Sequence, residues 1–347
     1  MLDPLAPPHL TFACELGRDE LVALFSDGAV VKDLQVLGAS VALMLSDFSE
    51  QRAAVVRTLN AAGIPVVAVP LVAAGDGYYF TADNPSVATA RYEEWKAWTS
   101  SEGLVWCGLG LDIEPDVRLY QQIADHPWRV LPVLLRGLRD RDRPRRASFA
   151  YSALVERIRS DGWTVESYQL PPMADERRVG STLLQRALGL VDVRTDREVW
   201  MLYSSFFGAL GAGLIWSYGP EAPAIAVGST GGAPDIPGSP HVPTLNWDEL
   251  ARDLSLARHW SDTILIHSLE GCVEQGFLPE LKSFTWTQAN PPSTARLANW
   301  LRVALRAILW SSKHSRALGV VAITTWLVQR GRTHGTGVNE QRLASSA

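Results

Sequence analysis

The run Gly108-Leu109-Gly110-Leu111-Asp112-Ile113-Glu114 alternates small or acidic residues with branched apolar ones, and Pro115 ends it. In an extended strand, residues two apart share a face, so Gly110, Asp112 and Glu114 project to one side and Leu109, Leu111 and Ile113 to the other. Two carboxylates therefore meet at the end of an apolar strand. Acids flanked by Leu and Ile are costly there without partners. When two of them repel, one pKa rises and that group can donate a proton near neutral pH. The plainer reading is that Asp112 and Glu114 cap a helix or pair with arginines at a loop mouth.

Outward from this strand, short β-rich runs alternate with longer helix-compatible stretches, the pattern of βα units around a parallel sheet. Strands are expected at residues 9–15, 39–46, 65–72, 104–114, 147–152, 164–170, 198–205 and 263–268. Helices are expected between them, at 50–62, 86–100, 153–161, 181–191 and 247–260, the last opening on Asn246 as N-cap. Eight strands suit a (β/α)8 TIM-type barrel, and 347 residues fit one barrel of roughly 250 with an extension. Residues 1–290 are assigned to the barrel, and 291–347 to a C-terminal helical extension packed on it and ending in a disordered tail. An open doubly wound sheet would want a glycine-rich turn after the first strand, where Glu15-Leu-Gly-Arg-Asp supplies a single glycine. In the barrel, Asp112 and Glu114 end the fourth strand, on the face where such folds place their chemistry.

The residues are 47% hydrophobic and 20% charged, which is a globular balance. A net charge of −5 leaves no excess of cations to neutralise a phosphate backbone, so nucleic acid is not an expected partner. The arginine-rich stretch 136–146 also holds Asp140 and Asp142 and reads as a solvated helix end. Cys14, Cys107 and Cys272 form no close pair and are expected as reduced thiols, with no metal and no cofactor implied. The first residues show neither a basic n-region nor an apolar h-region, so a cytoplasmic location is expected. Residues 317–328 form an apolar run too short to span a bilayer. Leu297, Trp300, Leu301, Ala304, Leu305 and Ile308 recur at helical spacing. Core packing of both stretches is favoured over their lying on a membrane surface. The glycine- and proline-rich passage 208–243, with Gly228-Ser-Thr-Gly-Gly232, reads as a lid or connector. A phosphorylated ligand is the other reading, because barrels bind phosphate after strands seven and eight.

The run Leu111-Asp112-Ile113-Glu114-Pro115 resembles the β4 signature of the chitinase and endo-β-N-acetylglucosaminidase superfamily, Asp-x-x-Asp-x-Asp-x-Glu. Glu114 falls on that family's proton donor and Asp112 on its assisting aspartate, while Cys107 and Gly110 replace its two earlier acids. The family carries a tyrosine at the end of its sixth strand, and Tyr168-Gln169 stands in the sixth expected strand. A similar Asp-x-Glu occurs in family-25-type lysozymes. The resemblance implies that Glu114 protonates the departing glycosidic oxygen. Asp112 and Tyr168 would then steady a substrate acetamido group acting as nucleophile, a known exception to the two-carboxylate scheme. Without that group, a second carboxylate is needed, for which Glu270 and Glu15 are candidates near the barrel closure.

Thirteen tryptophans are many for this length, and most must be core. Tyr78, Tyr203 and Trp247 are the rim candidates for stacking on sugar rings, joined by Gln169 and His267 as binding residues. The expected activity is that of a glycosidase acting on a carbohydrate or glycoconjugate. Two other classes stay open. Glu15, Glu114, His267 and Glu270 offer ligands for a divalent metal, as in xylose-isomerase-like isomerases and epimerases. Alternatively, the acids serve recognition only, in a barrel that binds a glycan or a protein.

Overall fold

The computed structural model describes residues 5–26, 28–119, 137–232 and 243–314. Eight parallel strands close into a barrel in chain order. They are β1 (His9–Cys14), β2 (Ser40–Leu45), β3 (Val66–Pro70), β4 (Gly108–Asp112), β5 (Val165–Gln169), β6 (Arg197–Met201), β7 (Ala224–Gly228) and β8 (Thr263–His267). Closure is made by β1 and β8, which pair from His9 opposite Thr263 to Ala13 opposite His267.

Period-two alternation divides the strand residues into two apolar layers. Ala13, Ala42, Met44, Val67, Val69, Tyr168, Val199, Met201, Ala224, Ala226 and Leu265 pack together inside the barrel. Phe12, Cys14, Leu43, Ala68, Leu109, Leu111, Trp200, Ile225, Val227 and Ile266 join the larger layer beneath the helices. The interior mixes alanines with a few large side chains, as a closed barrel of this size requires for filling. At the N-terminal end, polar groups close it: Arg197 pairs with Glu166 at 2.9 Å, and His9 hydrogen-bonds Ser40 at 2.9 Å.

The helices begin and end where local chemistry directs. Helix Trp247–Trp260 opens on a reciprocal capping box between Asn246 and Glu249, with both bonds 3.0 Å long. Helix Glu50–Ala61 opens on Ser49, whose hydroxyl accepts from the Arg52 amide. Trp95, Trp98, Trp106 and Trp200 are buried, so much of the tryptophan content is core.

Four expectations need correction. Residues 147–152 are not a strand: they lie in helix Arg143–Ser160, where Ala147, Tyr151, Leu154, Val155 and Ile158 bury one face at helical spacing. The missing strand is β7, five residues inside the stretch read as a connector. Tyr168 therefore stands on the fifth strand, not the sixth. Finally, helix Ala295–Lys313 turns Leu297, Trp300, Leu301 and Ile308 outward and buries Ala295, Ala298, Arg302 and Leu309. Its rotation is set by ions rather than oil. Arg302 and Arg306 reach Asp175 at 2.9 and 2.6 Å, and Arg302 also reaches Glu221 at 2.7 Å. The 317–328 run lies outside the described residues. Among those described, no helix is long and apolar enough to cross a membrane.

Candidate active site

The acids of β4 are held beyond the strand's formal end by a returning loop. After β3 the chain departs and comes back at Phe80, which bridges Ile113. The Phe80 amide donates to the Asp112 carbonyl and the Glu114 amide donates to the Phe80 carbonyl, each at 3.0 Å. This added ladder keeps Asp112 and Glu114 extended, so both stay on the inner face as alternation requires. Asp112 is 6% exposed, whereas Glu114 is half-buried nearer the mouth. Burial pushes the Asp112 carboxyl well above the usual carboxylate range, and the charges of Glu114 and Glu15 push it further. Glu114 also acts electrostatically on Tyr79, Tyr203 and His267, which places its charge in the middle of the group.

Tyr168 is the β5 partner of Asp112 in register and is 3% exposed. Its ring occupies space that a side chain on β4 would otherwise fill. A Cβ at Gly110 would stand 2.9 Å from Tyr168 Cε2 and 3.0 Å from Val69 Cγ2. Since Tyr168 points inward, the next residue cannot. Gln169 faces the helices and donates to the Ser167 hydroxyl at 3.1 Å, so it leaves the set of binding candidates.

On the opposite side, Glu15 follows β1 and His267 ends β8. The Tyr78 hydroxyl donates to Glu15 Oε1 at 2.7 Å, and His267 Nε2 lies 3.5 Å from Glu15 Oε2. The Glu15 amide donates to Glu270 Oε1 at 3.1 Å, tying Glu270 in helix Leu269–Glu274 to the same cluster. Burial raises Glu270 to about 7, against the opposing pull of its own amide and of His267. For His267, burial disfavours the charge, but Glu15, Glu270 and Glu114 outweigh it and raise the imidazole above its ordinary value. Tyr203, just past β6, sets its ring 5.4 Å from that of His267.

Tyr78 has φ 65, a left-handed conformation that bulky residues rarely adopt. Such strain persists where the surroundings impose it, often at functional sites. It breaks the alternation of the loop, so that the carboxylates Glu15 and Asp112 act on Tyr79 as well as Tyr78. Tyr79 joins the cluster although only Tyr78 of its run is expected at the rim. Its only signal was its place in the aromatic run Tyr78-Tyr79-Phe80.

Twelve buried side-chain polar atoms among the described residues have no hydrogen-bond partner, and four of them are Asp112 Oδ1, the Tyr168 hydroxyl, His267 Nδ1 and Glu270 Oε2; the others include the indole nitrogens of Trp95, Trp98, Trp200 and Trp260. Native proteins leave few such atoms unsatisfied, and these four stand together at the C-terminal end of the barrel strands. The glycine-rich turn after β7 packs against this acid cluster. Gly232 has φ 75, and a Cβ there would stand 2.0 Å from Glu270 Cγ, so the turn is wrapped around a carboxyl group. That is poor company for a phosphate. Trp247 is placed elsewhere, against Phe277 and Phe284 in the outer layer of helices, with ring centroids at 5.6 and 5.9 Å. Among the described residues, no group of three or more His, Cys, Asp or Glu is arranged to hold a metal ion.

No protein-family model matches the chain, and no curated protein matches it in sequence. Solved structures similar to it include the PgaB (BpsB) glycoside hydrolase domain of Bordetella bronchiseptica, at 10% identity and TM-score 0.46, covering 82% of this chain and 100% of that one. Another is Saccharomyces cerevisiae Gas2p in complex with laminaripentaose, at 13% identity and TM-score 0.42, covering 82% and 67%. A third is a xylose isomerase domain containing protein of Salmonella typhimurium LT2, at 11% identity and TM-score 0.40, covering 80% and 94%.

Proposed function

We propose that this barrel is a glycosidase acting on a carbohydrate or glycoconjugate, with Glu114 as general acid and Asp112 as its partner. The observation that supports the reading is the group of unsatisfied buried polar atoms on Asp112, Tyr168, His267 and Glu270, gathered with Tyr78, Tyr79 and Tyr203 around the same carboxylates. A ligand rich in hydroxyl groups satisfies such atoms, and the aromatic rings supply faces for the apolar side of a sugar.

The two β4 acids have different environments, and these divide their roles. Glu114 is the more accessible and stands where a glycosidic oxygen can arrive. Asp112, deeper and favoured in its protonated form, can donate a hydrogen bond and leaves Glu114 without a second full negative charge beside it. Tyr168 lies beside Asp112 in register, so an acetamido group bound there would meet both a carboxyl and a phenol. This is the substrate-assisted route. For a substrate without that group, Glu270 and Glu15 are the available second carboxylates.

The test is hydrolysis of a panel of aryl glycosides, N-acetylhexosaminides among them, by the wild type and Glu114→Gln, with and without EDTA. The expected outcome is turnover that survives EDTA and falls about 10²- to 10⁴-fold in the variant, the usual worth of a general acid. No aryl glycoside hydrolysis, with interconversion of free ketoses or aldoses that EDTA abolishes and a divalent ion restores, would instead support the isomerase-like reading. Glycan binding without turnover, retained by Glu114→Gln, would make the barrel a recognition module.

A further inference from the structure

Helix Ala295–Lys313 is mounted with its polarity reversed. Its arginines Arg302 and Arg306 face the protein, held by Asp175 and Glu221, and the Arg302 guanidinium lies 3.8 Å over the Tyr218 ring. Its apolar residues Leu297, Trp300, Leu301, Val303, Ile308 and Trp310 face out, with Trp300 64% and Ile308 60% exposed. At about 100° per residue, these six fall within one half of the helix circumference. The two tryptophans stand about 15 Å apart along the axis. An exposed apolar strip of this kind, broken by Arg296 and Ser311, marks a contact site.

Charge identifies the partner. The helix contains Arg296, Arg302, Arg306 and Lys313 and no acid. From residue 295 to 347 the sequence holds eight Lys or Arg and one Asp or Glu, a net of +7, of which +5 remains once Arg302 and Arg306 are set against Asp175 and Glu221; the whole chain carries −5. The remaining 294 residues therefore carry −12. So marked an asymmetry, joined to exposed tryptophan and aliphatic residues, fits an anionic lipid surface.

We infer that helix Ala295–Lys313 is a membrane-surface docking element that lies in the plane of an anionic bilayer, with Trp300 and Trp310 at the headgroup boundary. The buried ion network serves as its mount: it keeps the arginines toward the barrel and the apolar strip toward the lipid. Docking of this kind needs no spanning helix. It is independent of the chemistry assigned to the barrel mouth.

The experiment is co-sedimentation of the full chain with vesicles of phosphatidylcholine alone or mixed with phosphatidylserine, at low and high salt, alongside sedimentation velocity without lipid. The variants are Trp300→Ser with Ile308→Ser, and Phe149→Ser as an exposed apolar control on another helix. The wild type and the Phe149→Ser control are expected to pellet with the phosphatidylserine vesicles, less so at high salt. The double variant is expected to bind at least about tenfold more weakly while keeping the wild-type circular dichroism spectrum. Unchanged binding by the double variant overturns the proposal, because another segment then holds the lipid. A wild-type dimer that the same substitutions dissociate, with no vesicle binding, overturns it in favour of a second copy on this face. A monomer that ignores both vesicle types overturns it as well.

Discussion

Glu270 shows how one buried carboxyl ties stability to pH. Its pKa stands at about 7 in the fold against an ordinary 4.5, with burial as the main cause. The fold thus favours the protonated form, and its contribution is complete below about 4.5 and lost as pH rises through 7. Glu270→Gln keeps the shape and removes the titration. The wild type should lose about 1–3 kcal/mol of stability across that window that the variant retains. Urea midpoints measured from pH 4.5 to 8 check this, and parallel curves for the two proteins would refute it. Asp112 shifts in the same direction, so the slope in the variant becomes shallower rather than flat. At this scale the sequence was informative: Asp112, Glu114, Glu15, His267 and Glu270 all stood out as acids or imidazole at strand ends, and the fold gathers them. What it could not show was orientation between neighbours. Tyr168 and Gln169 stand side by side in sequence, yet a strand sends adjacent side chains to opposite faces, and only Tyr168 enters the barrel.

Among the elements, β4 owes its place to what it lacks. Gly110 leaves room for the Tyr168 ring, and Gly108 lets the chain pass Thr164, whose Oγ1 would stand 2.6 Å from a Cβ there. Gly110→Ala is expected to destabilise the protein by about 1–3 kcal/mol through overpacking, read as a lower denaturant midpoint. It should also slow turnover, since Tyr168 must move away from Asp112. A midpoint equal to that of the wild type would mean the ring does not need that space. The eight-strand count came out right through two errors that cancel. The run Ala-Ser-Phe-Ala-Tyr-Ser at 147–152 looks like a strand because aromatic and small residues alternate, but its buried positions continue to Ile158 with helical period. The five residues of β7 went unseen because Gly and Pro surround them, and a short apolar run among turn formers carries little periodic signal.

At the scale of the whole molecule, helix Ala295–Lys313 is fixed to the barrel through one buried acid. Asp175 is fully buried and receives Arg302, Arg306 and the Tyr218 hydroxyl, the last at 2.6 Å. Removing it in Asp175→Ala leaves the buried Arg302 short of its main counter-charge. The expected loss is about 3–5 kcal/mol, seen by thermal or urea denaturation together with faster proteolysis within 295–313. Wild-type stability in this variant would show that the network is dispensable. No reading of hydrophobic period could have found this mount. Period alone points the oily stripe of 297–308 inward, and only the positions of Asp175 and Glu221 in space turn it outward. Elsewhere the loop that returns to Phe80 joins two tasks in one piece of chain. It clamps the backbone of Glu114 and carries Tyr78 to Glu15. Anyone seeking to retune ligand choice by grafting a new segment at 72–79 would therefore be moving Glu114, the proposed proton donor, as well. In this barrel, one loop sets both the position of Tyr78 and that of Glu114.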